Sequence, residues 1–147
     1  MMAGKPTLME NTFLGSHDRR VLSVTKNAHD LGAQGENIAA MYLESIGFKV
    51  LERNYRSRAG EIDIVALDGE TLVFVEVKTR RQGGRFGAAA EQVTRVKQRR
   101  IARTALAYIT HRGLEGAECR FDVVAIDVPR QGAPRVSLVR GAFECGR

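Results

Sequence analysis

The run from Gly60 to Lys78 (Gly-Glu-Ile-Asp-Ile-Val-Ala-Leu-Asp-Gly-Glu-Thr-Leu-Val-Phe-Val-Glu-Val-Lys) constrains the fold more than any other part of the chain. Two β-prone apolar segments flank an Asp-Gly pair, the strongest short-range sign of a β-hairpin. With Asp68-Gly69 as a two-residue loop, Leu67 faces Glu70 and Asp63 falls opposite Phe74. Side chains of a strand alternate between faces, so Glu76 and Lys78 share one face. Val73, Val75 and Val77 take the other as core, joined there by Ile62 and Ile64. Asp63 falls with Glu76 and Lys78, a parity that a four-residue loop preserves and a three-residue loop breaks unless a bulge restores it.

Two carboxylates and an ammonium on one surface of a strand pair point to a divalent metal site. Hard cations such as Mg²⁺ take carboxylate oxygens and usually share the site with substrate phosphates. In phosphodiester hydrolysis such a metal lowers the pKa of a bound water and neutralises charge on the scissile phosphate. A neighbouring lysine orients the attacking water or stabilises the developing charge. Glu-x-Lys by itself is more often an exposed strand pairing charges across a sheet. Asp63 on the same face, with valines on the hidden side, shifts the balance toward the metal.

At 147 residues the chain has the size of one domain, long enough to bury roughly 70% of its unfolded surface without a staple. Its net charge of +6 favours a polyanionic partner such as nucleic acid, and is equally compatible with a basic protein that has none. No apolar run reaches the 18 residues of a spanning helix, so no membrane partner is expected. Met1 to Asn27 lacks a continuous apolar segment and carries Glu10 and Asp18, unlike a signal peptide. Cys119 and Cys145 lie far apart without CxxC spacing, which fits a reducing cytoplasm rather than a disulfide framework or zinc site. Cys119, beside a strand, is expected to be a small buried residue.

Residues 1–28 show no sustained periodicity and read as a flexible N-terminal extension, with Val21-Leu22-Ser23-Val24 as a candidate short strand. Residues 29–147 form the domain. A helix is expected from His29 to Ile46, striped by Ala39, Tyr42, Leu43 and Ile46 and ended by Gly47. Phe48 to Tyr55 reads as a strand and Ser57 to Gly60 as a loop into the hairpin. Arg80 to Gly87 reads as a basic loop and Ala88 to Thr110 as a second helix. Arg120 to Val128 is a strand stopped by Pro129, and Arg135 to Arg140 a last edge strand. The order is α-β-β-β-α-β with one further strand: an α/β chain without internal repeats.

Glu36 stands in line with Ala39, Leu43 and Ile46, at or near the buried stripe of the first helix. Acids are rarely buried unless paired or metal-bound. Glu36 is therefore either a third carboxylate directed into the site or a residue complementing the helix dipole. Between Lys78 and Arg103 nine cations (Lys78, Arg80, Arg81, Arg85, Arg95, Lys97, Arg99, Arg100 and Arg103) accompany one acid, Glu91. Gln92, Arg95, Arg99 and Arg103 form one helical strip suited to sequence-independent phosphate contacts. The other reading of that strip is a solubilising face; the excess of one sign favours nucleic acid. Lys97 falls on the apolar side between Val93, Ile101 and Tyr108, so it either snorkels outward or reaches an acidic pocket. Phe86 is a local anchor or a base-stacking residue. His17, His29 and His111 have no metal or triad spacing, and no nucleotide-binding or hydrolase fingerprint is present.

The set Gly35-Glu36-Asn37-Ile38-Ala39-Ala40, Gly60-Glu61-Ile62-Asp63 and Val75-Glu76-Val77-Lys78-Thr79-Arg80 closely resembles the bacterial YraN family. Phe86-Gly87, Lys97 and Arg120-Phe121-Asp122-Val123-Val124 match in order as well. The resemblance covers about residues 29–144, and that family's fold is similar to the restriction-endonuclease-like PD-(D/E)xK nucleases. It implies an α-β-β-β-α-β core with a mixed sheet flanked by helices, and a Mg²⁺ or Mn²⁺ site. By that likeness Asp63 and Glu76 are metal ligands, the Val77 carbonyl is a further ligand and Lys78 is the catalytic lysine. Glu36 resembles the helix glutamate that archaeal Holliday-junction resolvases place near the metal. Ile62 stands where the nuclease signature has proline. The function implied is a Mg²⁺-dependent endonuclease acting on DNA, resolvase-like, with Arg80, Arg81, Arg85, Gln92, Arg95, Lys97, Arg99 and Arg103 holding the backbone. Related resolvases pair, which implies a homodimer. The alternative is a nucleic-acid-binding accessory protein that keeps the fold without turnover.

Overall fold

The computed structural model describes residues 7–12, 28–81 and 93–144. In chain order the elements are β1 (Thr7–Thr12), α1 (Ala28–Ser45), β2 (Lys49–Ser57), β3 (Gly60–Asp68), β4 (Thr71–Arg81), α2 (Arg95–Arg112), β5 (Cys119–Val128) and β6 (Arg135–Phe143). The strands form one six-stranded sheet in the order β1-β6-β5-β4-β3-β2. β4 and β5 run parallel and every other neighbouring pair antiparallel, so the sheet is mixed. Parallel neighbours cannot be joined by a hairpin; between β4 and β5 the chain passes through α2. The expected α-β-β-β-α-β core is present, with β1 and β6 added.

Alternation along the strands builds two cores, one on each side of the sheet. Val73 and Val75 of β4 pack with Ile64, Ala66, Val124, Ile126, Val136 and Leu138 against Ile38, Ala39, Tyr42 and Leu43 of α1. Leu72 and Phe74 of β4 pack with Val65, Phe121 and Val123 against Ile101, Ala105 and Tyr108 of α2. Tyr108 stands edge-on to both Tyr55 and Phe74, the arrangement that aromatic quadrupoles favour. α1 ends as its sequence implies. Gly47 takes φ 98° after α1, and the Phe48 N–H reaches back to the Leu43 carbonyl at 2.9 Å. The Thr94 hydroxyl accepts from the Lys97 N–H at the start of α2, and Gly113 closes its end at φ 64°.

Several expectations are corrected. The hairpin turn is Gly69-Glu70, because Asp68 pairs with Thr71 and Leu67 with Leu72. Gly69 has φ 60°, the positive angle that a II′ turn demands at its first central position. The register thus moves by two residues, a step that leaves Glu76 and Lys78 on their expected face. Arg80 and Arg81 belong to β4, in register with Asp127 and Val128, not to a loop. α2 begins at Arg95, and Val93 and Thr94 precede it as cap. β6 is not an edge strand, because β1 pairs along it from Thr7↔Arg140 to Thr12↔Arg135. Cys119 is exposed rather than buried, at the first position of its strand. The candidate strand Val21–Val24, and Arg85, Phe86 and Gln92, lie outside the described residues.

Candidate active site

β2 and β3 do not keep one face toward each helix along their whole length. Arg53 pairs with Ile64 and Tyr55 with Ile62. Ile64 belongs to the α1-side core, whereas Tyr55 and Ile62 belong to the α2-side core. The two-stranded ribbon therefore turns over between these pairs, at Asn54 and Asp63. Asn54 supplies the turn with φ 53°, a left-handed angle that asparagine tolerates better than most residues. Ile62 is thus not on the valine side.

At the same point β3 parts from β4, whose backbone pairing ends at Ile64↔Val75. Beyond it the Asp63 side chain takes over: its Oδ2 accepts the Val77 N–H at 2.8 Å. A paired strand residue directs its N–H and C=O to the same edge. The Val77 carbonyl therefore faces the gap between β3 and β4, beside the Asp63 carboxylate.

Glu76 is 7% exposed and lies on the α2 side of β4 next to Asp63. Its Oε1 is 3.6 Å from the Lys78 Nζ and is held more closely by the Lys97 Nζ of α2. Of the two positions open to Lys97, it takes the acidic pocket. Glu36 is half-buried midway along α1. Its neighbour Gly35 explains the placement: a β-carbon there would stand 1.8 Å from the Thr79 Oγ1, so the α1 backbone lies directly against the Thr79 side chain of β4. Gly60 does the same for α2, where a β-carbon would meet Arg100 and Thr104 at 3.0 Å.

The electrostatics follow from this crowding. Burial, then the charge of Glu76, raises the Asp63 carboxyl from 3.8 to about 7, against the pull of the Val77 N–H, with Glu36 adding to the rise. Burial and the neighbouring Lys97 lower the Lys78 ammonium. Burial also opposes the charge of Lys97, but the hydrogen bond and charge of Glu76 outweigh it and hold that ammonium above its ordinary value.

The structure thus brings Asp63, Glu76, Lys78 and Lys97 together, with Glu36 near enough to act on Asp63 through its charge. As placed, no three His, Cys, Asp or Glu side chains among the described residues form a ready metal cage. The donor chemistry nonetheless suits a hard cation. Two crowded carboxylates, one of them pushed toward neutrality by burial and by the other's charge, sit beside a backbone carbonyl. Arg95, Arg99 and Arg103 are exposed along α2, as their helical spacing implies, and Arg80 is half-buried at the end of β4. Asn54, which turns the ribbon, is a site-shaping residue that sequence reasoning misses. Its signal, a lone asparagine inside a strand, is too common to be read alone.

Known proteins share the segment that carries these elements. The model of the Uncharacterised protein family UPF0102 matches residues 35–126, from the close-packed helix glycine into β5. A UPF0102 protein of Geobacter sulfurreducens is 46% identical over 130 residues, 88% of this chain and 94% of its own length. One from Symbiobacterium thermophilum is 49% identical over 113 residues, 77% of this chain and 95% of its own length. A third, from Chlorobium chlorochromatii, is 50% identical over 108 residues, 74% of this chain and 82% of its own length. No helix among the described residues is long and apolar enough to cross a membrane. The chain therefore belongs to the UPF0102 family, the family its sequence resembles under the name YraN.

Proposed function

We propose that this protein is a Mg²⁺- or Mn²⁺-dependent DNA endonuclease of the Holliday-junction-resolvase type. The observation that carries the reading is the meeting of Asp63, Glu76 and Lys78 where β3 parts from β4, with Asp63 bound to the Val77 N–H. Asp63, Glu76 and the Val77 carbonyl would hold the metal, with Glu36 in support. A bound divalent ion supplies an activated water and neutralises phosphate charge. The chain's own groups do the rest. The Lys78 ammonium, anchored beside Glu76, is positioned to orient a water or meet an oxygen of the phosphate. Arg95, Arg99 and Arg103 hold the backbone through charge, with Arg80, Arg81, Arg85 and Gln92 as further phosphate partners. A homodimer would present two such sites to a branched substrate.

Purified protein mixed with linear, nicked and four-way-branched DNA in Mg²⁺ or Mn²⁺ tests this. Cleavage is expected with the native chain and not with Glu76→Ala. Cleavage no higher than that control contradicts the enzyme reading. The ion pairs of Glu76 with two lysines favour one second reading, a nucleic-acid-binding accessory protein whose site is neutralised internally. That reading expects salt-sensitive DNA binding that does not depend on Asp63 or metal.

A further inference from the structure

Glu76 has more positive charge at its carboxylate than the proposed chemistry uses. Lys78, on the same strand, lies 3.6 Å from Oε1, and Lys97 reaches the same oxygen from the first turn of α2 at closer range. The carboxylate is 7% exposed, and a buried carboxylate without water needs a counter-charge. Lys97 is the better suited of the two to leave: its side chain is 41% exposed against 26% for Lys78.

A divalent ion held by Glu76 would compete with this ammonium for the same oxygen. We propose that Lys97 is a tethered counter-ion of Glu76, which occupies the carboxylate until a divalent cation displaces it and which sets the threshold for metal entry. This rests on the metal reading above and adds a regulator to it. The two cations exclude one another, so metal affinity carries the cost of releasing Lys97, and removing the ammonium removes that cost. Once released, the half-exposed side chain is free to swing out to solvent.

Mn²⁺ binding, followed by the loss of the free-ion electron paramagnetic resonance signal, separates the outcomes without reference to cleavage. Lys97→Met is expected to bind Mn²⁺ about tenfold more tightly than the native chain, equivalent to ~1.4 kcal/mol. Lys97→Arg, which keeps the charge, should stay close to native. Lys97→Gln repeats the test should methionine disturb the first turn of the helix. Equal or weaker binding by the neutral variants, while the native chain binds, overturns the counter-ion role and leaves the metal site standing. No binding by any of the proteins overturns both.

Discussion

Asp63 is the residue on which the local electrostatics turn. Its carboxyl titrates at about 7 in the fold against 3.8 ordinarily, so the folded chain holds a proton more tightly than the unfolded chain does. Stability must then fall as pH rises from the ordinary value toward 7, and the penalty is complete above it. Asp63→Asn, which can still accept the Val77 N–H, should resist urea better than the native chain at pH 8. The difference should close toward pH 4; an advantage independent of pH would contradict the assignment. Gly35 makes a second residue-scale case. Glycine within a helix is unfavourable by about 1 kcal/mol relative to alanine, yet here a β-carbon would run into Thr79. Gly35→Ala should destabilise by about 1–3 kcal/mol through overpacking, and Thr79→Ala in the same chain should recover part of it. Full tolerance of Gly35→Ala would show that α1 does not lie against Thr79 as described. Glu76 and Lys78 are legible in the sequence because alternation is local. The tightness at Gly35 is not, because it depends on what crosses above.

Among the elements, the β2–β3 ribbon decides where the site lies. The hairpin and the two helices are readable from periodicity and turn residues, and the mixed sheet is what the family resemblance implies. The position of the turn is not, since Asp-Gly and Gly-Glu both serve a two-residue loop and only cross-strand packing chooses between them. The reversal at Asn54 is hidden for a related reason: Ile62 and Ile64 are both apolar, and nothing in their order says that they face opposite helices. Asn54→Val should cost about 1–2 kcal/mol, because a β-branched residue opposes the left-handed angle, while Asn54→Gly should be nearly neutral. Equal effects of the two, measured by thermal unfolding, would argue against a left-handed Asn54. At the start of β4 a second charged cluster has a structural explanation. Arg120 grips the fully buried Asp122 through two nitrogens, and Arg120 and Arg140 share Asp68. Both guanidinium groups lie over the Phe48 ring. These charges tie β5 and β6 to the end of β3 and are not legible as a network, because the partners are 52 and 72 residues apart in sequence.

At the scale of the whole molecule, charge and shape act together. A net charge of +6 is concentrated in part on α2, whose exposed Arg95, Arg99 and Arg103 lie on the helix that also delivers Lys97 to Glu76. Replacing the three arginines by alanine should weaken DNA binding evenly across sequences and flatten its salt dependence by about one unit of slope for each phosphate no longer bound. An unchanged slope would move the binding face elsewhere. The proposed metal-dependent chemistry requires a divalent cation between Asp63 and Glu76. A crystal grown with Mn²⁺ and measured at the manganese absorption edge addresses it directly. The expected result is one anomalous peak within coordination distance of both carboxylates and the Val77 carbonyl, with Lys97 withdrawn from Glu76. An empty seam at saturating Mn²⁺, with Lys97 still seated on Glu76, would contradict it.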